Sequence, residues 1–176
     1  MTGQIIIVTG PDRCGKTTVV NRINNLVTNQ KKFITHFSKP PSGILDITDW
    51  SYKHYAEIIH EFNYLATKKD FTIICDRFYE GEFVYGSRYR DFPEDKFWKL
   101  EKYFVNPKIV KLIVMADDPV NILARDDSES NETTLAEYDK TSDMFCEFFE
   151  KTSIKNKEVC RLPEVTNEFL YEFIIA

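Results

Sequence analysis

One phosphate-binding motif constrains this chain more than any other feature of its sequence. Residues 10–17 read GPDRCGKT, which fits the pattern G-x-x-x-x-G-K-[ST]. An apolar β-branched run at residues 4–9 precedes the motif, and residues 17–27 follow with apolar side chains at helical spacing. In such a loop the backbone N–H groups point inward and the following helix adds partial positive charge, so that it binds phosphate. The alternative is a purely structural glycine turn between a core strand and a helix.

The two last residues of the motif have separate expected roles. Lys16 reaches the β- and γ-phosphates of a nucleoside triphosphate, and the Thr17 hydroxyl binds Mg²⁺. The interior of the loop adds Asp12 and Arg13. Because a carboxylate is unfavourable beside a triphosphate, Asp12 is expected to face another ligand, such as a sugar hydroxyl. Arg13 adds a cation that can follow a phosphoryl group as it moves, unless it simply points to solvent.

The remaining pattern predicts an α/β protein with a parallel sheet covered on both faces, because strands and helices alternate along the chain. The 176 residues favour one domain, 1–176. A polar stretch without apolar periodicity predicts a surface loop, with a lid at about residues 126–134. Strands are predicted at residues 4–9, 32–37, 71–75, 108–115 and 158–161, and helices at 17–27, 50–66, 97–104, 135–151 and 163–174, with a short one opened by Pro119.

Composition excludes several classes of protein. The net charge of −5 argues against a general nucleic-acid binder, which needs a basic face. The four cysteines are scattered, so a zinc site or a disulfide framework is not expected. No apolar run approaches the roughly 18 residues of a membrane span, and no basic segment precedes the first apolar run as in a signal peptide. The expectation is a cytoplasmic protein with no membrane partner.

A second phosphate site is predicted where the third strand ends. Asp76 and Arg77 directly follow the apolar run at residues 71–75. In a parallel sheet they then lie at the edge where the phosphate loop opens. Asp76 can hold Mg²⁺ directly or through water, and Arg77 can bind an acceptor phosphate with two parallel N–H donors. The alternative is an ordinary ion pair at a strand end.

The two phosphate motifs, GPDRCGKTT and DRF, resemble those of thymidylate kinases, which carry a DR[YF] motif. A looser similarity in HFSKP, DRFYEGEFVYG and DDPVNILAR extends it to nearly the whole chain. The resemblance implies a three-layer P-loop fold with strand order 2-3-1-4-5. It also implies ATP-dependent phosphorylation, with Mg²⁺, of a small nucleotide acceptor. The leading acceptor is thymidylate or a 5-modified pyrimidine deoxynucleotide. Members of the family often dimerise, so a homodimer stays open.

The resemblance also implies a set of site residues. Lys16, Arg13 and Arg77 would be catalytic, and Thr17 and Asp76 would hold the metal. ATP would be bound by Gly10, Pro11, Asp12, Arg13, Cys14, Gly15, Lys16, Thr17, Thr18 and, along the adenine, Arg125. The acceptor would be bound by Asp12 at the 3′-hydroxyl, Phe37, Lys39, Tyr52 stacking on the base, Arg77 at the phosphate and Tyr85 closing the sugar pocket. Tyr52 and Tyr85 could instead be core aromatics, and Arg125 a solvated cation at a helix end.

The sequence also departs from the family. No second arginine follows Tyr52, and Lys39 is the candidate to replace the lost charge. Glu80 and Glu82 add negative charge near the expected acceptor pocket. A deoxynucleoside kinase acting on a free 5′-hydroxyl, which needs a general base, and a nucleotide-dependent switch therefore remain alternatives. A kinase acting on bases within DNA is disfavoured by the net charge.

Overall fold

Five parallel strands form the centre of the protein. The computed structural model describes residues 3–28, 30–37, 40–125 and 132–175. Within them, the strand order is β2-β3-β1-β4-β5, which confirms the predicted order and the predicted α/β fold class. The strands are β1 (Gln4–Thr9), β2 (Lys31–His36), β3 (Phe71–Asp76), β4 (Val110–Met115) and β5 (Asn156–Cys160).

Helices cover both faces of this sheet. They are α1 (Lys16–Leu26), α2 (Ile47–Ala66), α3 (Ser87–Arg90), α4 (Glu94–Glu101), α5 (Pro119–Leu123), α6 (Leu135–Lys151) and α7 (Asn167–Ile175). A π-helical turn, Glu82–Gly86, leads directly into α3. In the described part of the chain, none of these helices combines the length and the apolar character needed to cross a bilayer.

The central strand β1 shows why the sheet is buried on both sides. Ile5 and Ile7 belong to an apolar cluster on one face, together with side chains of α2 and α4, and Ile6 and Val8 belong to a second cluster on the other face, together with α1 and α7. Successive side chains of a strand point to opposite faces, so a run without polar residues supplies both clusters.

Local capping explains where the observed helix and strand bounds differ from the predicted ones. The carboxylate of Asp46 accepts the backbone N–H of Asp49, so α2 begins at Ile47 rather than Trp50. Residues 107–109 form a 3₁₀ turn, so β4 begins at Val110. Tyr85 lies in the π-helical turn Glu82–Gly86, a stretch for which the sequence pattern predicts neither a helix nor a strand.

The register of the sheet brings the two phosphate motifs to one edge. Val8 of β1 pairs with Asp76 of β3, so both strands end at the same level. Beyond the strands, the backbone N–H of Arg77 donates to the carbonyl of Val8 at 2.9 Å. The phosphate loop and Asp76-Arg77 therefore leave the sheet side by side.

Candidate active site

The phosphate loop needs its two glycines for different reasons. At Gly10 the backbone has φ 133°, and a Cβ there would collide with the main-chain carbonyl of Met115 on the neighbouring strand. At Gly15, φ is 91°, a left-handed conformation that initiates α1. A side chain at either position would strain the loop, so the motif glycines follow from this backbone path.

Lys16 is held inside the loop. Its side chain is buried, and the ammonium Nζ donates to the carbonyl of Pro11 at 2.5 Å. The carboxylate of Asp12 lies 3.6 Å from the same nitrogen. Cys14, also fully buried, donates its thiol to the Pro11 carbonyl, and burial raises the pKa of this thiol. Cys14 is therefore a packing residue, whereas Lys16 is the cation of the loop.

Thr17 and Asp76 form the candidate metal pair. The Thr17 hydroxyl donates to Asp76 Oδ2 at 2.7 Å, and Asp76 Oδ1 is buried with no hydrogen-bond partner among the described residues. The described residues contain no group of three or more His, Cys, Asp or Glu side chains that could hold a metal ion. Mg²⁺ bound with a nucleotide takes only one or two protein ligands, because phosphate and water supply the others. A hydroxyl beside an under-satisfied carboxylate fits that requirement.

Arg77 joins the second phosphate motif to the first. Its guanidinium forms an ion pair with Asp12 of the phosphate loop, so Asp12 lies between the cations of Arg77 and Lys16. The backbone of Arg77 is left-handed, with φ 65°, and that of Arg13 is similar, with φ 64°. Such conformations are uncommon for residues with a side chain and concentrate at functional sites.

A cavity of about 450 Å³ opens beside this ion pair. Its volume is within the usual range for small-molecule sites. Asp12 and Arg77 line it at the phosphate loop, and aromatic and apolar side chains line much of the remainder. The full lining consists of Asp12, Phe37, Pro40, Ile47, Tyr55, Arg77, Phe78, Gly81, Glu82, Tyr85, Tyr89, Arg90 and Glu137.

The chain is similar to known proteins in sequence and in fold. A curated thymidylate kinase of Limosilactobacillus fermentum is 26% identical to the chain, over 76% of this chain and 72% of the relative. The solved structure of the YorR protein of Bacillus subtilis, in complex with phosphorylated GDP, superposes with a TM-score of 0.70 at 18% identity, covering 98% of this chain and 94% of that one. No family model matches the chain.

Two solved thymidylate kinases show the same fold. The enzyme from Candida albicans superposes with a TM-score of 0.61 at 14% identity, over 99% of this chain and 92% of the other. The enzyme from Ehrlichia chaffeensis gives 0.61 at 12% identity, over 99% and 98%. The chain has a thymidylate kinase-like P-loop fold. The sequence match and the structural neighbours indicate a nucleotide monophosphate kinase.

The three aromatic residues that the resemblance assigns to the acceptor site do not all lie at the cavity. Phe37 and Tyr85 line the cavity. The Tyr85 hydroxyl is buried without a partner among the described residues, and burial raises the pKa of this phenol, with Asp12 and Glu132 acting in the same direction. Tyr52 is not part of the cavity lining: its hydroxyl is bonded to that of Tyr103 at 2.8 Å.

Arg125 contacts the phosphate loop at Arg13. Arg125 donates to the backbone carbonyl of Arg13 at 3.0 Å and to the carboxylate of Asp117 at 2.7 Å. The Arg13 guanidinium lies 6.0 Å from the ring centroid of Tyr138, on α6. Arg125 is therefore attached to the loop, as a residue beside a bound triphosphate nucleotide would be. Lys39 and residues 126–131 of the expected lid lie outside the described residues.

Sequence reasoning missed an ion pair inside the cavity. Glu82 and Arg90 both line it, and their side chains contact each other at 2.8 Å. Glu82 was recognised as a negative charge near the pocket, but Arg90 was not, because the helical stretch that carries it was not predicted. A π-helical turn often marks a functional site, yet its sequence gives no periodic signal. Tyr55, three residues after Tyr52 on α2, also lines the cavity, and no local sequence signal distinguishes it from Tyr52.

Proposed function

We propose that the protein transfers the γ-phosphoryl group of ATP to the 5′-phosphate of a deoxynucleoside monophosphate. A phosphate oxygen of the acceptor forms the new P–O bond, the bond to the β-phosphate oxygen breaks, and ADP leaves with the electron pair. The cavity shared by Asp12 of the phosphate loop and Arg77 carries the proposal, because it puts an acceptor beside the loop that would hold ATP. Positioning of two reactants is the main requirement of phosphoryl transfer.

The donor nucleotide would lie on residues 10–18. Lys16 and Arg13 would neutralise the charge that develops on the transferring group, since both cations belong to the same loop. Thr17 and Asp76 would hold Mg²⁺, which supplies further positive charge to the triphosphate when bound. Arg125 would lie along the adenine ring, because its contact with the Arg13 carbonyl attaches it to the loop.

The acceptor would occupy the cavity. Arg77 would bind its phosphate, which requires the guanidinium to exchange part of its contact with Asp12 for phosphate oxygens. The freed carboxylate of Asp12 and the unpartnered Tyr85 hydroxyl would then meet the sugar. Phe37 and Tyr55, rather than Tyr52, are the aromatic residues that would contact the base, since they line the cavity.

No general base is needed for a monophosphate acceptor, because its phosphate is already anionic at neutral pH. A free nucleoside would need a base, for which Asp76 is the candidate. Asp76, however, does not line the cavity, and one of its oxygens accepts the Thr17 hydroxyl at 2.7 Å. This arrangement favours the monophosphate. The base of the acceptor is a separate question: the sequence resemblance favours thymine, whereas the YorR protein was solved with phosphorylated GDP.

The direct test offers ATP with each deoxynucleoside and each deoxynucleoside monophosphate, and identifies the products by chromatography. The proposal expects a diphosphate from at least one monophosphate, no product from free nucleosides, and loss of all transfer in Lys16→Ala. Phosphorylation of nucleosides alone would instead identify a nucleoside kinase. ATP hydrolysis without any acceptor product would indicate a nucleotide-dependent switch and refute the proposal.

A further inference from the structure

The cavity contains a second pair of charged side chains besides Arg77 and Asp12. Glu82 Oε2 lies 2.8 Å from Arg90 Nη2, and the side chains are 3% and 19% exposed. Burying a carboxylate is unfavourable unless it is paired, and even a pair gains little stability from burial. The ion pair therefore adds little to the stability of the fold beyond what apolar packing at the same positions would give. Its position in the wall of the cavity points instead to ligand recognition.

The second pair and Arg77 are carried by different elements that border the cavity: Glu82 lies on the π-helical turn, Arg90 on α3, and Arg77 directly after β3. The Arg77 guanidinium forms its ion pair with Asp12 of the phosphate loop. The charges of Glu82 and Arg90 instead act on Tyr55, whose pKa is raised by burial and by Glu82. A nucleotide whose phosphate contacts Arg77 and whose base contacts Tyr55 would therefore present the edge of that base to Glu82 and Arg90.

The hydrogen-bonding capacity of the pair is restrictive. An ionised carboxylate only accepts hydrogen bonds, and a guanidinium only donates them. Guanine presents two adjacent donors, N1–H and the 2-amino group, beside the acceptor O6, so a carboxylate can take both donors while an arginine donates to O6. Thymine presents a single N–H between two carbonyl oxygens. A carboxylate that accepts this N–H is therefore repelled by the partial negative charge of the carbonyl oxygen on either side. Cytosine offers the carboxylate its 4-amino group alone.

We propose that Glu82 and Arg90 select the base of the acceptor, and that the preferred acceptor is a guanine deoxynucleotide rather than thymidylate. The inference rests on the proposed function, since it concerns the acceptor of that reaction. It also explains the departure of Glu82 from the uncharged residues that the sequence resemblance leads one to expect in this pocket.

The test compares kcat/KM for the four deoxynucleoside monophosphates in the wild type and in Glu82→Gln. A bidentate contact discriminates by about 10-fold or more, so the wild type is expected to prefer the guanine nucleotide over the thymine one by at least that factor. The amide of Glu82→Gln offers one acceptor and one donor, which match N3–H and O4 of thymine. The ratio of guanine to thymine activity is therefore expected to fall about 30-fold or more in this variant.

Controls separate this result from a general loss of activity. Glu57→Gln makes the same chemical change at an exposed position of α2 and is expected to keep the wild-type ratio. Arg90→Lys keeps the positive charge beside Glu82 but removes donors, so it is expected to reduce the preference for guanine, and it replaces Glu82→Gln if that variant does not fold. A wild-type preference for any base other than guanine, or an equal loss for all four acceptors in Glu82→Gln, would overturn the inference.

Failure of the proposed function has a different signature. If none of the four monophosphates is phosphorylated, the kinase proposal fails, whereas calorimetric titration with the same nucleotides still ranks the bases. Tighter binding of the guanine nucleotide, lost in Glu82→Gln, would then support the base selection alone. Equal affinity for the four nucleotides would refute it.

Discussion

Glu80 lets the electrostatics of this site be tested through stability alone. The side chain is fully buried, Oε1 accepts the backbone N–H of Phe78 at 2.6 Å, and Oε2 has no partner among the described residues. Burial raises the pKa of Glu80 to about 7 from its ordinary 4.5, against the opposing effects of hydrogen bonds and of Arg77. The folded protein therefore binds this proton more tightly than the unfolded chain.

The consequence for stability has a definite sign. Between the two pKa values the unfolded chain is ionised while the folded protein stays protonated, so stability falls as the pH rises through this range. The cost is absent well below pH 4.5 and complete above pH 7. It amounts to about 1 kcal/mol at pH 5 and about 3 kcal/mol at pH 8.

Glu80→Gln removes this titration and keeps an acceptor for the Phe78 N–H. The free energy of unfolding of the variant minus that of the wild type is expected to be about 2.5 kcal/mol larger at pH 8 than at pH 5, which means that the variant is relatively more stable at pH 8. Urea titrations of both proteins at the two pH values measure it, and any pH-independent packing difference cancels in the comparison. Glu57→Gln, at an exposed position, serves as the matched control. If the free energies of unfolding of Glu80→Gln and the wild type differ by the same amount at both pH values, the pKa of Glu80 is not raised in the folded protein.

Three further predictions concern other parts of the site and its support. Arg13→Ala is expected to lower kcat about 100-fold or more with little change in the acceptor KM, because its cation acts on the moving group; near-wild-type turnover in a steady-state assay would contradict this role. Arg125→Ala removes the contacts with Asp117 and the phosphate loop, so the KM for ATP is expected to rise about 10-fold while that for the acceptor stays constant; an unchanged ATP KM would separate Arg125 from the donor site. Glu101→Ala leaves the hydroxyl donors of Tyr79, Thr152 and Ser153 without their acceptor. Its free energy of unfolding, measured with urea, is therefore expected to fall by about 3–5 kcal/mol, and a loss below about 1 kcal/mol would contradict this structural role.

The sequence predicts the parts of the site that follow from strand ends. Val8 and Asp76 are paired in neighbouring parallel strands, so the loop after one and the Asp76-Arg77 pair after the other must meet at one edge. The glycines of the motif have left-handed or otherwise restricted backbone, which only glycine adopts without strain. These features depend on local sequence and on the rules of parallel sheets, and both can be read without coordinates.

The walls of the cavity depend on packing between distant segments, which the sequence does not display. Tyr52 and Tyr55 are separated by less than one helical turn, and only the position of α2 against the sheet decides which of them borders the cavity. The Glu82–Arg90 contact depends on an irregular helical segment, whose extra residue per turn is not encoded by apolar periodicity. Lys39 lies outside the described residues, so its expected contact with the acceptor stays a prediction.

Under the proposed function, one continuous site holds donor and acceptor with their phosphates facing each other. The most direct measurement is calorimetric titration with adenosine and a deoxynucleoside joined through their 5′-oxygens by five phosphates, which spans both sites at once. One linked molecule is expected to bind per chain, with an affinity about 100-fold or more above that of either nucleotide alone, because binding of its second nucleotide becomes intramolecular. Two molecules bound per chain, or an affinity no better than that of ATP, would contradict it.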